Sequence, residues 1–103
     1  MIVARWQIDA RFGHKHEVVT SLKRWMEEVG SQIGWKPDNT RLLTGSVGVN
    51  ESTVITEVEL QNLSELSQAW DRLATIEGHK KWSRDLEPLI VSGSHRWEVL
   101  RKL

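Results

Sequence analysis

Ile2-Val3-Ala4-Arg5-Trp6-Gln7-Ile8-Asp9-Ala10-Arg11-Phe12-Gly13 is the stretch that decides how the rest of the chain is read. Ile2, Ala4, Trp6, Ile8, Ala10 and Phe12 alternate with Arg5, Gln7, Asp9 and Arg11. That period of two belongs to a strand with one apolar and one charged face. Gly13 ends it, and Val18, Leu22, Met26, Val29 and Ile33 then recur at spacings of three and four, with Val19 and Trp25 at the edge of the stripe. The spacing predicts a helix over 16–29. Gly34, Pro37, Asp38 and Asn39 mark a loop.

Arg41–Val49 and Thr53–Leu60 read as two strands joined across Asn50-Glu51-Ser52, a hairpin spacing. Asn62 with Glu65 has the form of a capping box, and Leu63, Leu66, Trp70 and Leu73 mark one face of a second helix. A break is expected near Gly78, after which His79, Trp82 and Leu86 share one face of a short helix that Pro88 and Gly93 end. His95, Trp97 and Val99 alternate in a last strand. The order βαββαβ implies an α+β, ferredoxin-like fold: a four-stranded antiparallel sheet with the helices on one face. No repeat, linker or low-complexity run divides the chain, so residues 1–103 are expected to form one domain.

Composition narrows the partners. Fourteen basic residues balance 14 acidic ones, so no net field draws the protein to nucleic acid or an anionic membrane. Cysteine is absent, which excludes disulfides, thiolate metal sites and cysteine nucleophiles. The N-terminal alternation is unlike a signal peptide and no segment has the length of a membrane span, so the expected location is cytoplasmic. Asn50-Glu51-Ser52 and Asn62-Leu63-Ser64 fit the glycosylation acceptor pattern but read more simply as turn and cap residues. Phosphate loops, nucleotide fingerprints and nucleophile elbows are lacking. The unusual feature is six Trp beside one Phe and no Tyr.

Three clusters could carry chemistry. Trp70, His79 and Trp82 would form an aromatic wall with one titratable imidazole, either a pocket for an apolar or aromatic ligand or a core with a satisfied histidine. Trp6 and Trp97 join that ligand-binding set from the helix-covered face of adjacent central strands, and both are expected to be more deeply buried than Trp25 and Trp35. Arg11, His14, Lys15 and His16 gather at the first strand–helix junction, where backbone N–H groups could hold an anion or the cluster could be a solvated loop; two His one residue apart diverge on a helix, so no metal site is expected. Arg5, Asp9, Arg11, Glu57, Glu59, Arg96 and Glu98 share the charged sheet face, where Glu57 or Glu59 beside Arg5 and Arg96 could act as acid or base or simply pair across strands.

In layout the whole chain resembles the dimeric α+β barrel superfamily, which includes NIPSNAP-like proteins and antibiotic-biosynthesis-type monooxygenases. The carrying segments are Arg5-Trp6-Gln7-Ile8, Phe12-Gly13-His14-Lys15, the stretch from Trp70 to His79, and Gly93-Ser94-His95-Arg96-Trp97-Glu98. The resemblance implies a homodimer whose two sheets meet face to face. It also resembles the haem-degrading monooxygenases of that superfamily, whose Asn, Trp and haem-ligating His correspond to Gln7, Trp70 and His79 here. Gln7 departs from the Asn, and its alternation with Trp6 puts it on the sheet face away from the helices. Three function classes follow: a small-ligand binding protein, a monooxygenase that is cofactor-independent or degrades haem, and a protein-interaction module.

Overall fold

The computed structural model describes residues 1–103. β1 (Ile2–Asp9) leads into α1 (Lys15–Glu28) and a 3₁₀ turn at Gly30–Ile33; β2 (Thr40–Thr44) and β3 (Thr53–Leu60) follow. α2 (Leu63–Leu73), α3 (Glu77–Leu86), a 3₁₀ turn at Glu87–Leu89 and β4 (Arg96–Arg101) complete the chain. The four strands are all antiparallel in the order β2-β3-β1-β4, so the α+β ferredoxin-like arrangement is present, with β1 and β3 central.

Register sorts the side chains. Ala4 faces Val58 and Val99, Trp6 faces Thr56 and Trp97, and Ile8 faces Val54, so these positions share one face of the sheet. The helices cover that face. Ala4, Val58 and Leu60 pack with Trp25, Val29, Leu66, Ala69 and Leu73, while Ile8 and Val54 pack with Val18, Leu22 and Leu86. Trp82 lies against both clusters and joins them. α2 starts where the capping box placed it: the Asn62 side chain accepts from the Glu65 amide, and the Glu65 carboxylate accepts from the Gln61 amide.

Several local expectations are corrected. β2 ends at Thr44, not Val49, and residues 45–52 form the connection. A Cβ on Gly45 would lie 1.9 Å from the Asn50 carbonyl oxygen, and Gly48 has a positive φ, so the backbone there folds in a way a strand cannot. The helix break falls at residues 74–76, where the Thr75 hydroxyl bonds back to the Arg72 carbonyl, and Gly78 is helical. Phe12 lies past the last strand residue and is fully exposed. Trp97 and Val99 point to the helix side, but β4 is an edge strand beyond the helices, leaving them 37% and 41% exposed.

The expected burial order of the tryptophans is reversed: Trp25 and Trp35 are 6% and 4% exposed. Trp25 packs inward from α1, and the 3₁₀ turn folds Trp35 back under the Trp25 ring, with its amide bonded to the Gly30 carbonyl. Trp25→Ala and Trp35→Ala should therefore each cost roughly 3–5 kcal/mol, and Trp97→Ala clearly less. Urea unfolding of the three variants checks the order. A larger loss for Trp97→Ala would contradict this packing.

Candidate ligand cavity

All six tryptophans of the chain converge on one cavity of about 270 Å³ between the sheet and the helices. β1 supplies Trp6, α1 Trp25, the loop after it Trp35, α2 Trp70, α3 Trp82 and β4 Trp97. The indoles touch in an unbroken series. Centroid separations are 6.0 Å for Trp6–Trp82, 5.6 Å for Trp82–Trp25, 5.8 Å for Trp25–Trp35, 6.4 Å for Trp35–Trp97 and 5.3 Å for Trp97–Trp70. Most contacts are tilted or edge-on, the geometry aromatic quadrupoles favour. The Trp82 indole is held by its N–H, which donates to the Ser21 hydroxyl at 2.8 Å.

His79 stacks on Trp82 at 25° and 5.8 Å, and its Nδ1 accepts a 3.0 Å bond from Trp25 Nε1. An indole nitrogen can only donate, so Nδ1 must present its lone pair and the neutral ring carries its proton on Nε2. Burial lowers the His79 pKa below the ordinary 6.5 by desolvation of the charged form, and the Trp25 bond favours the same neutral state. At neutral pH the imidazole is an uncharged donor.

Trp6, Trp70, His79, Trp82 and Trp97, the residues expected to form a ligand site, all line this cavity. Leu22, Trp25, Trp35, Thr56, Leu73, Ser83 and His95 line it too. Thr56 could have been inferred from register, being opposite Trp6; Trp35 lies in a loop with no periodicity to place it. Exposed lining residues, Ser83, His95, Trp70 and Trp97, put the opening at the side of α3 and β4. Gln7 is the exception, since it pairs with Ile55 and Arg96 on the other sheet face and takes no part in the cavity.

Haem does not fit these residues. A ligating histidine offers iron the lone pair of one nitrogen, usually while the other donates its proton. Here Nδ1 is occupied by the Trp25 N–H and Nε2 carries the proton. The polar partner expected at Gln7 faces away from the cavity.

The other two clusters are engaged elsewhere. Arg11 Nε donates to the Ile90 carbonyl, His14 contacts Glu17 and Lys15 contacts Glu51. No group of three or more His, Asp or Glu side chains is placed to hold a metal ion. On the open sheet face, Glu57 sits between Arg5 at 3.2 Å and Arg41, and Glu59 lies 3.8 Å from both Arg41 and Lys102. Arg96 pairs with Glu98 on its own strand, so it is Arg41 that completes the Glu57 pairing. A second cleft of about 480 Å³ lies behind Trp35, but its wall includes Asn39, Glu59, Gln61, Glu65, Gln68 and Arg72 and lacks an aromatic surface beyond Trp35 itself. No helix is long and apolar enough to cross a membrane.

The lowered His79 pKa has a sign. The unfolded chain takes up the proton first, so the contribution of His79 to stability is full above about pH 6.5 and declines as the pH falls below it. His79→Phe should remove that part of the acid destabilisation. Urea unfolding of parent and variant between pH 8 and 5 measures it, and parallel pH profiles would contradict a neutral, Trp25-bonded imidazole.

No protein-family profile matches the chain, and no curated protein matches it in sequence. Solved structures do. A NIPSNAP family protein of Agrobacterium tumefaciens superposes with a TM-score of 0.81 at 18% identity, over 99% of this chain and 92% of that one. A NIPSNAP domain protein of Burkholderia xenovorans gives 0.71 at 18%, over 100% and 95%. A candidate antibiotic biosynthesis monooxygenase of Nitrosomonas europaea gives 0.69 at 8%, over 100% and 99%. At these identities the likeness establishes architecture, and on that ground the chain has, from end to end, the α+β fold of NIPSNAP proteins and antibiotic biosynthesis monooxygenases.

Proposed function

We propose that the protein binds a small, flat, apolar or aromatic molecule in the six-tryptophan cavity. The observation that carries this reading is the convergence of every Trp in the chain on one opening. A plain core would close over its aromatics, whereas Trp70 and Trp97 remain 41% and 37% exposed at the rim of a cavity that continues inward to Trp25. A volume of about 270 Å³ is near the lower end of small-molecule sites and suits one or two fused rings. Indole faces reward such a guest through burial and stacking. An oxygenase reading draws support from the architectural likeness to the Nitrosomonas europaea protein. Binding is favoured because His79, bonded through Nδ1, offers a proton where substrate activation needs a base.

We further propose that the chain works as a homodimer through the open sheet face. Leu43, Leu100 and the edge strand β4 leave apolar surface exposed there, beside the Arg5, Glu57 and Arg41 charges. Glu57 is already mostly buried between its two cations, so a facing sheet would complete its desolvation without leaving it unpaired.

Naphthalene should alter the tryptophan fluorescence saturably, with one site per chain. Ser83→Phe, which blocks the opening from an exposed position on α3, should abolish that response without loss of stability. An unchanged response in Ser83→Phe would place the guest elsewhere. Sedimentation at micromolar concentration should give twice the 11.9 kDa chain mass, and a single-chain mass would dismiss the dimer.

A further inference from the structure

Within the aromatic wall one polar atom stands apart. Thr56 is 5% exposed, lies on the central strand β3 opposite Trp6, and its Oγ1 is buried with no hydrogen-bond partner. The other buried Thr residues of the sheet are satisfied: Thr53 donates to Asp9 and Thr40 to Asn39. Trp35 Nε1 is also without a partner, but Trp35 stands between the aromatic cavity and the polar cleft behind it. Among the orphaned atoms, Thr56 Oγ1 belongs to a residue that lines the aromatic cavity and not the polar cleft.

A buried hydroxyl with nothing to bond is costly, and a valine of nearly the same shape would fill this position without that cost. The hydroxyl therefore matters most when a guest fills the cavity. Oγ1 is already closed to solvent, so a purely apolar guest leaves it without a partner, whereas a guest that brings an oxygen to that point supplies the bond it lacks. Sites of this kind reject analogues that lack the polar group far more strongly than apolar walls discriminate by size.

We propose that Thr56 is the specificity-determining residue of the cavity, and that its ligand is a planar ring system carrying a carbonyl, ether or phenol oxygen that hydrogen-bonds the Thr56 hydroxyl. This rests on the aromatic-cavity reading and adds the polar end of the ligand to it. The ring lies among the indoles and the oxygen points to the sheet. His79 lines the same cavity from α3, and with Nδ1 engaged by Trp25 its Nε2–H is a second donor independent of Thr56.

The test uses a shape-matched pair, 1-tetralone and tetralin, whose affinities are read by chemical-shift titration of the parent protein and of Thr56→Val. The ratio of the two affinities should fall about tenfold on Thr56→Val, the loss of tetralone binding accounting for most of it, while the variant unfolds at the same temperature or higher. An unchanged ratio overturns the role of Thr56 even if both compounds bind, which leaves the aromatic cavity standing. Absence of binding by either compound to the parent protein overturns the cavity reading and this inference together. Should Thr56→Val fail to fold, Thr56→Ser, which keeps the hydroxyl, and Thr56→Ala, which removes it, decide: the ratio should be held in Thr56→Ser and fall in Thr56→Ala, and equal ratios in the two overturn the role of Thr56.

Discussion

The Trp25–His79 hydrogen bond is the contact on which the arrangement of the cavity depends. It ties α1 to the start of α3 across 54 positions of sequence, and it fixes which nitrogen of His79 accepts and which donates. Trp25 is in turn clamped by Trp35 and Trp82, so the ring that orients the histidine is itself held by packing. A polar contact packed in this way is favoured because Trp25 has little freedom to turn and solvent reaches the partly buried imidazole only from one side. Leu86 is the one fully buried side chain of α3, and Trp82, bonded to Ser21, is the other tie from this helix to α1.

The two faces of the sheet follow from the same alternation in β1. Even positions feed the helix side, where Ala4 and Ile8 are small or compact enough to let helices approach and Trp6 fills the space between them. The cavity lies over the row in which Trp6 stands between Thr56 and Trp97. Odd positions build the opposite face, where Arg5, Glu57 and Arg41 form a ladder across three strands.

Much of this was legible in the sequence. The period of two in Ile2–Ala10, the capping box at Asn62 and the helical spacing of Val18, Leu22 and Trp25 are local signals, and local signals fix element type. The set Trp6, Trp70, His79, Trp82 and Trp97 followed from which face each element turns inward. What escaped was set by tertiary contact. Trp35 sits in a loop, and its burial depends on a 3₁₀ turn that folds it beneath Trp25. Trp97 looked central by alternation but lies on an edge strand, and strand order at an edge leaves no trace in the period. The correspondence of Gln7 to a site residue failed for the reason its alternation with Trp6 implies: one position in a strand is the difference between the two faces.

The central claim is that the tryptophans enclose a working site and are not merely an aromatic core with a gap. The indole N–H signals in a ¹H–¹⁵N spectrum report on it directly, because the chain has six and each lines the same cavity. On addition of naphthalene, most of those six signals should shift together and saturate with one midpoint, while the backbone amides of the open sheet face stay in place. Indole signals that remain fixed at saturating naphthalene, or shifts confined to the open face, would contradict it.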